Sequence, residues 1–130
     1  MSEKNTCACG TAPKLIFPCS GGSDVGELTD KVARKLTEDG KGRMYCLAGV
    51  GGRVSGIMAT TESAADILVI DGCPLDCAKK TMETAGFNKF NHLRLSDIGM
   101  LKGNTPVSED NVSKIALEGA KMLSNKGCCS

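Results

Sequence analysis

The sequence predicts an α/β fold of three layers, in which a mainly parallel sheet of about four strands lies between flanking helices, as in Rossmann-like and flavodoxin-like proteins. Short aliphatic runs alternate along the chain with segments of helical periodicity, and right-handed crossovers between parallel strands produce that order. Aromatic residues are scarce, with no Trp, one Tyr and three Phe, so aliphatic side chains and Met must fill the core. Such a core is typical of helices packed on a parallel sheet.

The size and charge of the chain limit its functions. Its 130 residues suffice for one hydrophobic core, so we expect a single domain over residues 14–126, between an N-terminal tail, 1–13, and a C-terminal tail, 127–130. The formal net charge is +1 without a long run of either sign, which argues against a nucleic-acid or membrane surface. No apolar segment has the length of a signal peptide or a membrane span, so we expect a cytoplasmic protein.

The first strand and the first helix flank a glycine-rich turn. The strand is the apolar run 15–17, and a single apolar stripe then marks a helix that Ser23 or Asp24 caps and Gly40 ends. The turn has neither the Gly-Lys-Ser/Thr of a nucleotide P-loop nor the third glycine of a dinucleotide fingerprint. It leaves Cys19 at the end of the strand, where backbone N–H groups can stabilise a thiolate.

A second strand and a short helix occupy the middle of the sequence. Residues 43–48 are predicted as strand and carry Cys46 near their end. The dense glycines of 49–52 allow the backbone to pass close to a neighbour or a ligand. Apolar residues between 54 and 58 then predict a short helix that leads to the third strand.

The third strand leads into a patterned segment with two cysteines. Four aliphatic residues, 67–70, predict a buried strand that breaks at an Asp-Gly pair. Pro74 suits the first position of a helix, so we expect Cys73 at the N-cap and Cys77 one turn further on the same helix face. There the positive end of the helix dipole favours thiolate over thiol.

The fourth strand and the last helix complete the predicted sheet. Residues 91–95 alternate polar and apolar side chains, as a strand near a sheet edge does. This strand carries His92, the single histidine of the chain, which we expect to face solvent. The final helix runs from about Ser108 to Lys126, with acids in its first turn and apolar residues on one side.

The fold brings together four cysteines that are distant in sequence, Cys19, Cys46, Cys73 and Cys77. The carboxyl ends of parallel strands lie at one edge of a sheet, and ligands bind there. If the first strand lies between the second and the third, strands about 4.8 Å apart bring the sulfurs near the roughly 3.8 Å separation of tetrahedral zinc ligands. Cytoplasmic thiols stay reduced, so eight cysteines favour metal or redox chemistry over disulfides.

The segments around these cysteines resemble a known family. Pro18-Cys19-Ser20-Gly21, Tyr45-Cys46-Leu47-Ala48-Gly49 and Asp71-Gly72-Cys73-Pro74-Leu75-Asp76-Cys77-Ala78 are similar to the DGC-domain family, named for its Asp-Gly-Cys sequence, over about residues 14–123. The resemblance implies a zinc ion bound by the family's four characteristic cysteines, which map onto Cys19, Cys46, Cys73 and Cys77. It implies no reaction. The pairs Cys7/Cys9 and Cys128/Cys129 lie outside the similar region, and their role stays open.

We therefore predict a zinc-binding protein with a structural, sensing or carrier role, and leave open whether it is an enzyme. An iron–sulfur cluster would use the same four ligands. One alternative is a thiol-based redox, sulfur-transfer or soft-metal-transfer enzyme that uses Cys73 and Cys77. Another is a small-molecule domain whose glycine-rich loops hold an anion. Asp24, Asp71 and Asp76 either orient metal ligands or cap turns and helix starts. The predicted partner is a metal ion, without nucleic acid or membrane, and no protein partner is indicated.

Overall fold

The central sheet is parallel throughout and has the strand order β2-β1-β3-β4. In this computed structural model, which describes residues 12–123, the strands are β1 (Lys14–Pro18), β2 (Arg43–Met44), β3 (Asp66–Asp71) and β4 (Asn91–Arg94). The helices of the same residues are α1 (Asp24–Glu38), α2 (Leu47–Gly51), α3 (Ser55–Glu62), α4 (Cys77–Thr84) and α5 (Glu109–Leu123), with a 3₁₀ turn at Leu95–Ile98. The predicted fold class is confirmed, and β1 lies between β2 and β3 as in the flavodoxin-like order.

Helices cover both faces of the sheet because successive side chains of a strand point to opposite faces. On β1 and β3, Ile16, Leu68 and Ile70 pack with α1 and α5. Their neighbours Leu15, Phe17 and Val69 pack with the layer formed by α2, α3 and α4. Each fully buried aliphatic side chain stabilises the fold by about 1.5–3 kcal/mol. None of the helices in residues 12–123 is long and apolar enough to cross a membrane.

Helix α1 begins and packs as the sequence predicts. Ser23 is the N-cap, and its side chain accepts a hydrogen bond from the backbone N–H of Gly26. The predicted apolar stripe is fully buried along the helix; it consists of Val25, Leu28, Val32 and Leu36. Asp24 has a different function from a cap, since its carboxylate accepts the backbone N–H groups of Gly103 and Thr105, at 2.9 and 3.1 Å. Asp24 therefore ties the loop before α5 to the start of α1.

The second strand is shorter than residues 43–48, the predicted range. Pairing with β1 covers Arg43 and Met44, and the backbone N–H of Tyr45 adds one more bond to the carbonyl of Ile16. Cys46 then becomes the N-cap of α2, with its sulfur accepting the N–H of Gly49 at 3.3 Å. A capped helical turn thus replaces the last residues of the predicted strand.

Two glycines allow loops at the carboxyl edge of the sheet to approach α1 closely. A Cβ at Gly26 would lie 2.6 Å from the carbonyl oxygen of Gly21. A Cβ at Gly72 would lie 2.8 Å from Cγ2 of Val25. Both distances are shorter than van der Waals contact, so the turns after β1 and β3 fit against α1 only with glycine at these positions.

We expect Gly26→Ala to lower the free energy of unfolding by about 1–3 kcal/mol, because its methyl group would overlap a backbone carbonyl that cannot move away cheaply. Gly22→Ala is the matched control, since a Cβ at Gly22 meets no atom within 4 Å. Urea unfolding of the two variants measures the difference. Equal stabilities of the two variants would show that the turn tolerates a side chain.

The Asp24 contacts predict a specific dependence of stability on pH. Hydrogen bonds from Gly103 and Thr105 lower the pKa of Asp24, against the opposing effect of desolvation. The unfolded state lacks these donors and therefore takes up the proton first as pH falls. The stabilisation is complete above the ordinary aspartate range, near pH 4, and is lost below it. Melting temperatures of the wild type and of Asp24→Asn should differ most near neutral pH and converge below about pH 3. A constant difference would contradict this assignment.

Candidate metal centre

The structure puts the four predicted cysteines at one edge of the sheet. Cys19 directly follows β1, Cys46 lies two residues beyond β2 and directly precedes α2, Cys73 lies two residues beyond β3, and Cys77 is the first residue of α4. Because all four strands are parallel, these positions belong to the carboxyl edge. Cys46 and Cys77 are exposed, whereas Cys19 and Cys73 are partly buried. The pairs Cys7/Cys9 and Cys128/Cys129 lie outside the described residues.

Two of the four cysteines share a cleft. Cys19 and Cys46 line a cavity of about 430 Å³ between the ends of β1 and β2, the start of α2 and one side of α4. Helix α4 contributes Thr81, whose hydroxyl donates to the carbonyl of Cys77 at 2.8 Å. Cys77 thus begins the helical turn that forms this wall of the cleft.

Thr29 fixes the environment of Cys19. Its buried hydroxyl donates to the carbonyl of Gly26 at 2.7 Å and accepts the backbone N–H of Ser20 at 3.0 Å. The single hydroxyl hydrogen is thereby committed, so in the 3.5 Å contact with Sγ of Cys19 the thiol is the donor. A thiolate at Cys19 would instead require Thr29 to turn its hydrogen from Gly26 towards the sulfur.

The segment between Cys73 and Cys77 is a turn, and the predicted N-cap position of Cys73 is wrong. The backbone N–H of Asp76 donates to the carbonyl of Cys73 at 3.2 Å, which closes a turn with Pro74 in its second position. Asp76 has a left-handed backbone with φ of 56°, and α4 begins only at Cys77. The two cysteines therefore bracket the turn and do not share a helix face.

A side chain from β3 caps helix α4. Asp71 is 1% exposed, and its two carboxylate oxygens accept the N–H groups of Ala78 and Lys79 at 2.8 and 3.0 Å. The N-cap residue itself, Asp76, makes no capping bond with its side chain. A remote carboxylate at the positive end of the helix thus replaces a local cap.

The sequence predicts that His92 faces solvent, and this prediction is wrong. Its Nε2 lies 2.9 Å from Oδ2 of Asp71, and 17% of its side chain is exposed. Its neighbour in the β4–β3 ladder is Val69, on the face covered by α4. The contact that buries His92 comes from the end of a different strand, so the local sequence carries no signal for it.

Arg94 holds Asp76 in the turn. Its Nε and Nη2 atoms donate to the two carboxylate oxygens of Asp76 at 2.8 and 2.5 Å, and its Nη1 reaches Asp97 at 3.2 Å. The hydrogen bond with Arg94 lowers the pKa of Asp76 although burial acts in the opposite direction. The same pairing raises the pKa of Arg94. This two-point contact connects the turn between the cysteines to β4.

The four cysteines lie at one edge of the sheet, but their sulfur atoms do not form one close group. Within residues 12–123, the one group of at least three metal-ligating side chains whose ligand atoms converge is Asp71, Asp76 and His92. The sulfurs must therefore move by side-chain rotation to share an ion, and their role as ligands remains a prediction. The sequence predicted that the four cysteines lie at the carboxyl edge, but it misplaced Cys73 at a helix N-cap and did not indicate the contact between Asp71 and His92.

Comparison with known proteins gives one family match and one curated relative to report. The family model of the DGC domain matches residues 15–118, which contain all four cysteines. The anaerobic and virulence modulator AnvM of Pseudomonas aeruginosa is 38% identical over 88 residues, which cover 68% of this chain and 67% of that protein. None of the solved structures matches the chain.

We expect Asp71→Asn to lower the free energy of unfolding by about 2–4 kcal/mol. The buried carboxylate accepts three hydrogen bonds, and in the variant the amide nitrogen, itself a donor, would face one of these three donors. Asp97→Asn is the matched control, since Asp97 is 62% exposed and should change stability by about 0.5 kcal/mol or less. Chemical denaturation of both variants measures the effect. A wild-type stability for Asp71→Asn would mean that the cap contributes little.

Proposed function

Because this chain belongs to the DGC domain family, we propose that it binds one zinc ion through Cys19, Cys46, Cys73 and Cys77. The observation that carries the proposal is the common position of the four cysteines at the carboxyl edge of one parallel sheet. Four thiolates form a ligand set that zinc binds tetrahedrally in proteins. The chain would therefore hold zinc as a clasp between separate β-α connections.

The strand order supports a shared ion. Since β1 lies between β2 and β3, Cys19 follows the central strand, and Cys46 and Cys73 follow the strands on either side of it, about 4.8 Å away from backbone to backbone. Tetrahedral zinc needs its sulfurs roughly 3.8 Å apart. Cys46 and Cys73 would each lean towards Cys19, and Cys77 would close the site from the start of α4.

Local backbone groups support thiolates at this edge. A zinc ion with four thiolates carries a charge of about −2, which requires nearby donors. The sulfur of Cys46 already accepts the N–H of Gly49. Cys77 lies at the positive end of α4, where a negative charge is favoured.

The exposure of the sulfurs favours a sensing or carrier role over a purely structural one. Cys46 and Cys77 are exposed, so chelators, oxidants or a receiving thiol could reach their sulfurs. The similarity to a protein named an anaerobic and virulence modulator supports a regulatory role in the same direction. A zinc site that exchanges its metal or responds to oxidation would suit such a role.

Metal analysis tests the proposal. Protein purified without added metal should contain about one zinc per chain, and Cys46→Ser should lose most of it because the remaining three sulfurs bind more weakly. Thiol titration of the wild type should find four slow thiols that become reactive when a chelator is added. The quadruple variant with serine at Cys7, Cys9, Cys128 and Cys129 is the control and should keep its zinc.

Three outcomes would contradict zinc binding at these cysteines. Folded wild type without metal that takes up no zinc would reject the site. Iron in the purified protein, together with visible absorption, would indicate an iron–sulfur cluster in place of zinc. A metal-free protein that forms a Cys73–Cys77 disulfide on mild oxidation, detected by mass spectrometry, would favour the thiol-based redox alternative.

A further inference from the structure

A second group of ligand atoms lies at the same edge and contains no sulfur. Nε2 of His92 is 2.9 Å from Oδ2 of Asp71 and 3.9 Å from Oδ1 of Asp76, and the ligand atoms of the three residues all lie within 4.8 Å of one another. A divalent ion bound at about 2.0–2.2 Å keeps adjacent ligands roughly 3 Å apart. Shifts of less than about 2 Å would therefore bring all three atoms into one coordination sphere.

The two carboxylates are held in place by their own hydrogen bonds. Asp71 is fixed by the backbone N–H groups at the start of α4, and Asp76 is fixed by the two-point contact with Arg94. Each oxygen of an ionised carboxylate accepts more than one bond, so Oδ1 of Asp76 keeps room for another partner. In known metal sites, surrounding hydrogen bonds orient the ligands in the same way and raise the affinity of the site for its metal ion.

The charges around the group favour a cation. The carboxylates around this group are Asp71, Asp76 and Asp97, and Arg94 contacts two of them, Asp76 and Asp97, directly. Lys79 acts on Asp76 only at a distance. Three carboxylates thus stand against the two permanent charges of Arg94 and Lys79, and His92 adds a third positive charge only when it is protonated. Asp71 is also almost completely buried, where an unbalanced charge is costly.

We propose that Asp71, Asp76 and His92 bind a divalent cation that prefers oxygen and nitrogen ligands, separately from the four cysteines. On binding, the ion replaces the proton between Nε2 of His92 and Asp71. In neutral His92 this proton moves to Nδ1, and in protonated His92 it leaves to solvent while Nδ1 keeps its own proton, so in both cases the Nε2 lone pair is free to bind the ion. Because His92 is 17% and Asp76 11% exposed, water completes the coordination. This site goes beyond the proposed zinc function and does not depend on it.

Mn²⁺ alone is the probe that separates the two sites. Manganese prefers carboxylate, imidazole and water ligands, whereas thiolates select zinc and other soft ions. The electron paramagnetic resonance signal of free Mn²⁺ should fall as the full-length protein is added, with one ion bound per chain. His92→Gln should weaken this binding by about tenfold or more, while its amide can still donate to Asp71 and keep the fold.

A second pair of variants tests whether the carboxylate of Asp76 binds the ion. Asp76→Asn should also weaken Mn²⁺ binding by about tenfold or more. Asp110→Asn is the matched control, because Asp110 is an exposed residue of α5 paired with Lys114. Circular dichroism and thermal melting of each variant establish that it is folded before its affinity is compared.

The outcomes distinguish this proposal from the zinc proposal. Cys46→Ser should keep its Mn²⁺ affinity, and His92→Gln should keep its zinc. Wild type that leaves the Mn²⁺ signal unchanged would overturn the second site, as would Mn²⁺ binding that survives both His92→Gln and Asp76→Asn in folded protein. Neither result would alter the zinc content on which the four-cysteine proposal depends.

Discussion

The carboxylate of Asp71 is the constraint on which the carboxyl edge depends. At 1% exposure it has little contact with water, so it needs protein donors. It accepts two backbone N–H groups of α4 and the imidazole of His92. These three contacts fix where α4 begins and hold β4 beside β3. The positions of Cys73 and Cys77 follow from them, because both cysteines lie on the chain between Asp71 and the helix it caps.

Each residue of the Asp-Gly-Cys sequence has a separate physical role. Asp71 caps a helix that starts six residues later. Gly72 permits the backbone to pass against Val25, where any Cβ would overlap the side chain. Cys73 then packs partly against the core formed with α1 and α5. The motif is thus a compact strand-to-helix connection as well as a source of sulfur, and a change at any of its positions would disturb the fold together with any site that uses Cys73.

The sequence predicted the fold well because strand and helix periods and the crossover rule depend on local patterns. It misplaced the start of α4 because Pro74 suits two local structures, the first turn of a helix and the second position of a β-turn. The choice between them depends on Asp71 and Arg94, which act from outside the segment. His92 was misjudged for the same reason, since alternation along β4 identifies an edge strand but not the buried partner on β3. The common edge of the cysteines was predictable because topology alone brings strand ends together, whereas the local positions of Cys46 and Cys73 were not.

The backbone geometry limits which of the four sulfurs could move to share a metal ion. Asp76 is held in its left-handed conformation by the contact with Arg94, so the turn between Cys73 and Cys77 resists rearrangement. Cys19 and Cys73 are partly buried, and Cys19 is also bonded to Thr29. Cys77 is exposed and can change rotamer at little cost, whereas Cys46, which is also exposed, would give up the N–H of Gly49 to do so. If the four cysteines bind a metal ion, we expect the exposed sulfurs of Cys46 and Cys77 to move towards Cys19 and Cys73 and to leave first on release.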